Sequence, residues 1–127
     1  MIQEQYVSLK VAKLAKEKGF NESISTLYKN GIFKHHKPRH SNNPFISNKG
    51  MTDNCCSAPT QSLLAKWLRE KYEIHVEVVF WYYKDSHYCE YTYNITKPLE
   101  NLTNNVLWFD NYEEAMEEGL KEALKLI

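Results

Sequence analysis

Two runs of β-branched and aromatic residues, 74–83 and 88–97, flank the polar segment Lys84-Asp85-Ser86-His87. β-Branched and aromatic residues favour extended strands, and a short polar segment between two such runs favours a turn. If Tyr83 pairs with Tyr88, the residue numbers of every opposite pair add up to 171. The sequence therefore predicts an antiparallel hairpin of defined register, which any fold of this chain must accommodate.

Alternation along the strands divides this hairpin into two faces. We expect one face to cover the core; it carries Ile74, Val76, Val78, Phe80, Tyr82, Cys89, Tyr91, Tyr93 and Ile95. The other face is polar at one end and aromatic near the turn, where Val79, Trp81, Tyr83 and Tyr88 fall. Rings opposite the core need a cover, which can be a second copy of the chain or the long loop, another protein, or a planar ligand.

Three amphipathic segments predict helices. The first begins after the N-cap Ser8 and stops at Gly19, the second starts within residues 57–60 and runs to about Tyr72, and the third follows Asp110 or Asn111. The second buries Trp67 among leucines. The apolar stripe of the third comprises Tyr112, Ala115, Met116, Leu120, Ala123, Leu124 and Ile127, and Gly119 on that side indicates a close approach to the sheet.

Further strands are predicted around Asn30-Gly31, a dipeptide that favours a tight hairpin turn, and over residues 106–109. Residues 35–56 lack periodicity and contain Pro38 and Pro44, so they predict a long polar loop that is either functional or mobile. Phe45, Ile46 and Met51 are its candidate anchors. The expected fold is a single α+β domain over residues 1–127, with an antiparallel sheet of four to five strands and three helices packed mainly on one face.

Charge is balanced overall but not along the chain. Residues 1–50 carry nine basic and three acidic side chains, a net of +6, and residues 51–127 carry seven and thirteen, a net of −6. Proteins that bind duplex nucleic acid usually have a larger basic excess, so we expect no such partner. No apolar run reaches the length of a membrane span and residues 1–10 lack a secretory pattern, so we expect a cytoplasmic protein with no membrane partner.

Histidines and cysteines in the long loop could hold a metal or support nucleophilic catalysis, but their spacing matches no zinc pattern. His36 and His40 are separated by Pro38, and no residue is identifiable that would orient a base for Cys55 or Cys56. The three cysteines, two of them adjacent, favour a reducing compartment. We therefore expect no metal, no cofactor and no assigned catalytic residue, with a Cys/His-dependent enzyme kept as an alternative.

A ligand site can be composed from three features. Trp81, Tyr83 and Tyr88 offer rings for stacking, Thr60 and Ser62 flank a helix start with free backbone N–H groups, and Lys37 and Arg39 add positive charge. A ligand using all three would be small, planar and anionic, as nucleotides are. The main prediction is a non-enzymatic module that binds such a ligand. The alternative is an inhibitor or adaptor that binds a host or phage protein through the aromatic face. We also expect the chain to form a two-fold homodimer through the strand face that carries Val79, Trp81, Tyr83 and Tyr88.

Four segments carry a resemblance: YVSLKVAKLAKEKGF at residues 6–20, APTQSLLAKWLRE at 58–70, IHVEV at 74–78 and YEEAMEEGLKEALKLI at 112–127. They are similar to a family of small uncharacterised proteins encoded by phages and prophages of gut Bacteroidales. The resemblance covers roughly half of the chain and misses the long loop and the hairpin tip. It implies a setting, the cytoplasm of a bacterial host cell, and no activity.

Overall fold

The computed structural model describes residues 1–102 and 107–127. The chain forms two compact units, Met1–Thr60 and Gln61–Ile127. Each contains its own antiparallel sheet, so the mixed α+β class is confirmed, whereas the prediction of one sheet of four to five strands is wrong. The physical reason is that each hairpin finds a third strand within its own unit. That residues 1–127 act as one domain stays a prediction.

The first unit contains helix α1, Leu9–Glu17, and strands β1, Thr26–Lys29, β2, Ile32–His35, and β3, Cys55–Ser57, in the order β2-β1-β3. Helix α1 begins as predicted, because the Ser8 side chain accepts a hydrogen bond from the Val11 N–H at 3.3 Å. The hairpin turn is also confirmed. Asn30 and Gly31 have φ values of 52° and 79°, the left-handed conformation that a tight two-residue turn requires.

The long loop lies between β2 and β3, since Cys55 and Cys56 belong to a strand that pairs with β1. Its second half is anchored by polar groups. The Asn48 amide, buried in the unit, donates to the Phe20 carbonyl at 2.7 Å and accepts from the Ser57 N–H at 2.8 Å. The Lys16 ammonium donates to the Thr52 and Cys55 carbonyls at 2.7 and 2.6 Å. Of the predicted apolar anchors, Phe45 is 57% exposed.

The second unit begins with helix α2, Gln61–Tyr72. The predicted start around Ser57 is wrong, because Ser57 pairs with Leu27 in the first sheet and Pro59 precedes the helix instead of lying in its first turn. The prediction for Trp67 is confirmed, since its side chain is 6% exposed and lies on the same buried side as Leu64 and Leu68.

Strands β4, His75–Tyr83, and β5, Tyr88–Lys97, form the predicted hairpin. Nine consecutive pairs, from His75↔Thr96 to Tyr83↔Tyr88, have the predicted register without interruption. A two-residue strand β6, Glu100–Asn101, completes the sheet in the order β4-β5-β6. The predicted edge strand over residues 106–109 includes Val106, which lies outside the described residues. Phe109 forms an isolated bridge to Tyr91.

Helix α3, Tyr112–Leu124, packs on β4 and β5. Asn111 is its N-cap and accepts from the Glu114 N–H at 2.8 Å. Gly119 marks the predicted close approach, because a Cβ there would lie 2.8 Å from Val76 Cγ1 and 3.1 Å from the Tyr93 ring. Tyr112, predicted to be apolar-facing, is 46% exposed because it lies in the first turn of the helix.

Candidate functional site

The hairpin is buried at one end and open at the other. Val76, Tyr93 and Ile95 lie under α3, each less than a tenth exposed. Large exposed rings occupy the end that adjoins the turn, with exposed fractions of 44–55%: Phe80, Trp81, Tyr82, Tyr83 and Tyr88. We call residues 80–91 the aromatic arm.

The arm corrects one expectation, because Phe80, Tyr82 and Cys89 were predicted to lie on the core face and are exposed. The cause is the length of the covering helix. A helix of 13 residues extends about 20 Å, whereas a strand of nine residues extends about 30 Å, so α3 covers only part of the hairpin. Both faces of the arm are therefore aromatic and accessible.

The rings of the arm contact one another and one further side chain. Tyr83 and Tyr88 stack with centroids 6.2 Å apart, and Phe80 lies 5.2 Å from Tyr91. Trp81 meets Trp108 edge to face at 6.2 Å. Trp108 is a site residue that was not predicted. Alternation in the predicted strand over residues 106–109 places Trp108 and Phe109 on opposite faces, but only the pairing of Phe109 with Tyr91 shows that Trp108 lies on the Trp81 face.

Charge on the arm is negative. Within residues 80–91, the carboxylates of Asp85 and Glu90 outnumber the ammonium of Lys84, and Asp110 acts on Tyr88 from outside the arm. The Glu90 charge raises the pKa of Tyr88, with contributions from burial and from Asp110. The pKa of Tyr83 is also raised, mainly by burial and further by the charge of Glu90. The Tyr83 hydroxyl donates a hydrogen bond to the Glu90 carboxylate at 3.3 Å. These tyrosines therefore stay neutral donors up to high pH, in surroundings that favour a cationic neighbour over an anionic one.

The remaining predicted ligand-binding residues lie elsewhere in the chain. Lys37, Arg39 and His40 are exposed in the long loop of the first unit, and His35 is exposed at the end of β2. Thr60 is the last residue of that unit and forms a bridge with Tyr6, and Ser62 lies in the first turn of α2. The structure brings Trp81, Tyr83 and Tyr88 together on one hairpin face. It does not unite them with Lys37 and Arg39 inside one compact unit.

Cys56 is poorly suited to nucleophilic chemistry. Burial raises the pKa of the Cys56 thiol, more than the nearby Lys16 and Lys13 lower it. A thiol with a raised pKa stays protonated at neutral pH and is a weak nucleophile. Cys55 and Cys56 lie in β3 and not at a helix N-terminus, and Cys89 is exposed on the arm. Within the described ranges, no group of three or more His, Cys, Asp or Glu side chains could hold a metal ion.

The first unit has an open groove of about 670 Å³. Its aromatic wall is formed by Tyr6, Tyr28, Phe33 and His35, and the N-terminal residues 3–5 line it as well. Phe33 lies 4.9 Å from Tyr6 and 5.6 Å from Tyr28, and the Tyr28 hydroxyl donates to the Val7 carbonyl at 2.7 Å. The ring contacts and this hydrogen bond hold the strands to the N-terminal segment, which is a structural role.

Comparisons of the chain with protein-family models, with curated proteins and with solved structures give no match. Of the helices in the described part of the chain, none has the length and apolar character needed to cross a bilayer.

Proposed function

We propose that the chain is a non-enzymatic binding protein whose aromatic arm docks onto another protein. One observation carries the proposal. Phe80, Trp81, Tyr82, Tyr83 and Tyr88 are about half exposed on the two faces of one regular hairpin. Tryptophan and tyrosine are the residues that most often dominate the binding energy of protein interfaces, because they offer a large rigid area with a polar tip.

The charge of the arm specifies the chemistry of the partner. Glu90 accepts a hydrogen bond from Tyr83, Glu90 and Asp110 both act on Tyr88, and Asp85 lies in the turn, so the arm fits an apolar surface bordered by lysine or arginine. The exposed rings of the arm can also bind a lysine or arginine of the partner by a cation–π interaction. In the setting that the resemblance implies, the partner is a host or phage protein of a bacterial cytoplasm, and the chain is a phage or prophage accessory protein.

The proposal is tested by partner capture from a lysate of the bacterial host, with variants matched for exposure. Wild-type protein should retain a specific protein that the double variant Trp81→Ser/Tyr82→Ser loses. Phe45→Ser is the control, because Phe45 is exposed to the same degree, 57%, but lies in the long loop. Glu90→Lys should weaken the captured complex about tenfold or more. The proposal is contradicted if the partner is still captured after the arm substitutions, or if the Phe45 variant loses the partner to the same extent.

A small planar anionic ligand is the second candidate. The rings of Trp81, Tyr83 and Tyr88 are accessible for stacking, which is worth roughly 1–3 kcal/mol per base, and the Lys37 and Arg39 side chains are exposed. Glu90 beside the rings opposes an anion, which makes this the weaker candidate. A thermal-shift screen against mono-, di- and cyclic nucleotides tests it. A stabilising nucleotide whose effect is lost in both Trp81→Ala and Arg39→Ala would favour this candidate over protein docking.

A further inference from the structure

The outer edge of β4 differs from the other sheet edges of this chain. In the first unit, the outer strands β2 and β3 have four and three residues, and β2 contains Lys34. In the second unit, β6 and the Phe109 bridge occupy the outer side of β5. Strand β4 has nine residues and, among the described residues, no strand on its outer side. Long regular edges are pairing sites unless a charge, a proline or a bulge interrupts them.

Strand β4 contains none of these protective features near the turn. Residues 78–83 read Val-Val-Phe-Trp-Tyr-Tyr, six uncharged residues of high strand propensity without proline or glycine. Their pairing with β5 advances one residue at a time, so no bulge bends the strand away. The outer edge of β4 therefore carries a regular series of backbone N–H and C=O groups, and it is bordered by exposed aromatic rings.

Hydrogen bonds to Phe109 identify which groups of β4 point outward. The Tyr91 N–H donates to the Phe109 carbonyl at 3.0 Å, and the Phe109 N–H donates to the Tyr91 carbonyl at 2.8 Å. Both backbone groups of Tyr91 thus point away from β4, so its partner Phe80 makes no ladder bond with it. The N–H and C=O of Phe80, and by alternation those of Val78 and Tyr82, point to the free edge.

We infer that the outer edge of β4 pairs antiparallel with β4 of a second copy of this chain, around a two-fold axis at Phe80. A two-fold axis normal to the sheet leaves each side chain on its own face. Residues that lie opposite each other across the axis must therefore both be even-numbered or both be odd-numbered, so the sum of their numbers is even. Centring on Phe80 places Val78 opposite the partner's Tyr82 and Glu77 opposite the partner's Tyr83. Centring on Trp81 instead would set Glu77 and Val78 opposite turn residues of the partner, beyond the end of β4 at Tyr83, where no ladder can form.

The surface along this edge is sufficient for a dimer of modest affinity. Four exposed side chains per copy, residues 80–83, border the edge, and aromatic side chains bury about 150–250 Å² each when fully covered. These rings are about half exposed, so even full cover of their exposed area on two copies, with the paired backbone added, only approaches the roughly 1,200 Å² at the lower limit of specific interfaces. We therefore expect weak association, between about 10 µM and 1 mM. The dimer uses the backbone edge of β4, which the proposed function does not need, but it covers part of the same rings, so a docked partner and a second copy compete for them.

Amide hydrogen exchange of the full chain, followed by NMR at about 10 µM and 1 mM, tests the inference together with light scattering. Raising the concentration should slow exchange at least tenfold at the outward amides of Val78, Phe80 and Tyr82. Exchange at the inward amides of Val79 and Trp81 should change far less. The scattering mass should rise from one chain toward two.

Two substitutions separate edge pairing from other association. Phe80→Lys sets like charges against each other at the axis and should raise the dimer dissociation constant at least tenfold. Tyr88→Lys, equally exposed but on β5, should change it less than about threefold. Tyr82→Pro removes an outward N–H and should abolish the dimer without loss of the hairpin, as checked by the thermal melt.

A monomer at 1 mM overturns the inference, as does a dimer that tolerates Phe80→Lys or one that Tyr88→Lys disrupts equally. Slow exchange of the outward amides that does not depend on protein concentration also overturns it. None of these results bears on capture of a partner by the faces of the arm, so failure of edge pairing is distinguishable from failure of the proposed function.

Discussion

The two ends of the β4–β5 hairpin contain similar residues and differ in what covers them. At the buried end, Val76, Tyr93 and Ile95 pack under α3, and Gly119 lets the helix backbone approach the sheet. At the open end, Phe80, Trp81 and Tyr82 remain about half exposed. The difference teaches that alternation assigns a residue to a face of a sheet, while the length of the covering helix decides whether that face is core. The same side chains stabilise the fold at one end and are available for recognition at the other.

The core of the second unit should be highly sensitive to loss of volume. Trp67→Ala in α2 should lower the free energy of unfolding by about 3–5 kcal/mol, because the indole is 6% exposed and its removal leaves a large cavity. Urea denaturation followed by circular dichroism measures this loss. A decrease below about 1 kcal/mol would mean that the indole is not part of the core of the second unit.

Two truncations within the hairpin compare its ends directly. Ile95→Ala should cost about 2–4 kcal/mol, since the side chain is 4% exposed. Tyr82→Ala should cost less than about 1 kcal/mol, since its ring is 53% exposed. Chemical denaturation of both variants gives the two values. Equal losses would remove the distinction between the buried end and the open end.

Gly119 tests the close approach of α3 to the sheet. Gly119→Ala should lower the free energy of unfolding by about 1–2 kcal/mol. The added methyl group would overlap Val76 Cγ1, and the cost of that overlap exceeds the gain in helix propensity from glycine to alanine. Glu114→Ala, on the exposed side of the same helix, is the matched control and should stay within about 0.5 kcal/mol of wild type. A stabilised Gly119→Ala variant would show that the helix lies farther from Val76 than described.

The acidic character of the arm should be visible in its tyrosine titration. Glu90 raises the pKa of Tyr83 and Tyr88, so Glu90→Gln should shift part of the tyrosinate absorbance near 295 nm to lower pH. A raised pKa favours the neutral phenol in the folded chain. Its effect on stability is absent below the ordinary tyrosine pKa of about 10 and becomes a loss as the pH rises through the raised value. An unchanged titration in Glu90→Gln would contradict this electrostatic account.

Local sequence patterns predicted much of the fold. The register of β4 and β5, the turn at Asn30-Gly31, the caps at Ser8 and Asn111 and the close contact at Gly119 all depend on neighbouring residues or on strict alternation. Each of these features is specified by sterics or hydrogen bonds within a short stretch of chain. They could therefore be derived without knowledge of the tertiary fold.

Features that depend on distant contacts were not predicted. Asn48 connects Phe20 to Ser57 across 28 and nine residues, and no composition rule distinguishes it from the other asparagines of the loop. The separation into two sheets depends on β3 pairing with β1, which is why Ser57 was assigned to a helix start. At the candidate site, Trp81, Tyr83 and Tyr88 were identified from alternation. The prediction of Phe80 and Tyr82 as core residues is wrong, because the strand sequence does not show how far along the hairpin α3 extends.

Accessibility of the three tryptophans tests the contrast between the core of the second unit and the open end of the hairpin most directly. Variants that retain one tryptophan each, with phenylalanine at the other two positions, can be compared by acrylamide quenching of fluorescence at sub-micromolar concentration, where the chain is monomeric. Trp81 and Trp108, 51% and 44% exposed, should be quenched several-fold more efficiently than Trp67, which is 6% exposed. Equal protection of Trp81 and Trp67 in the monomer would contradict the account, because the aromatic arm would then be covered by the chain itself.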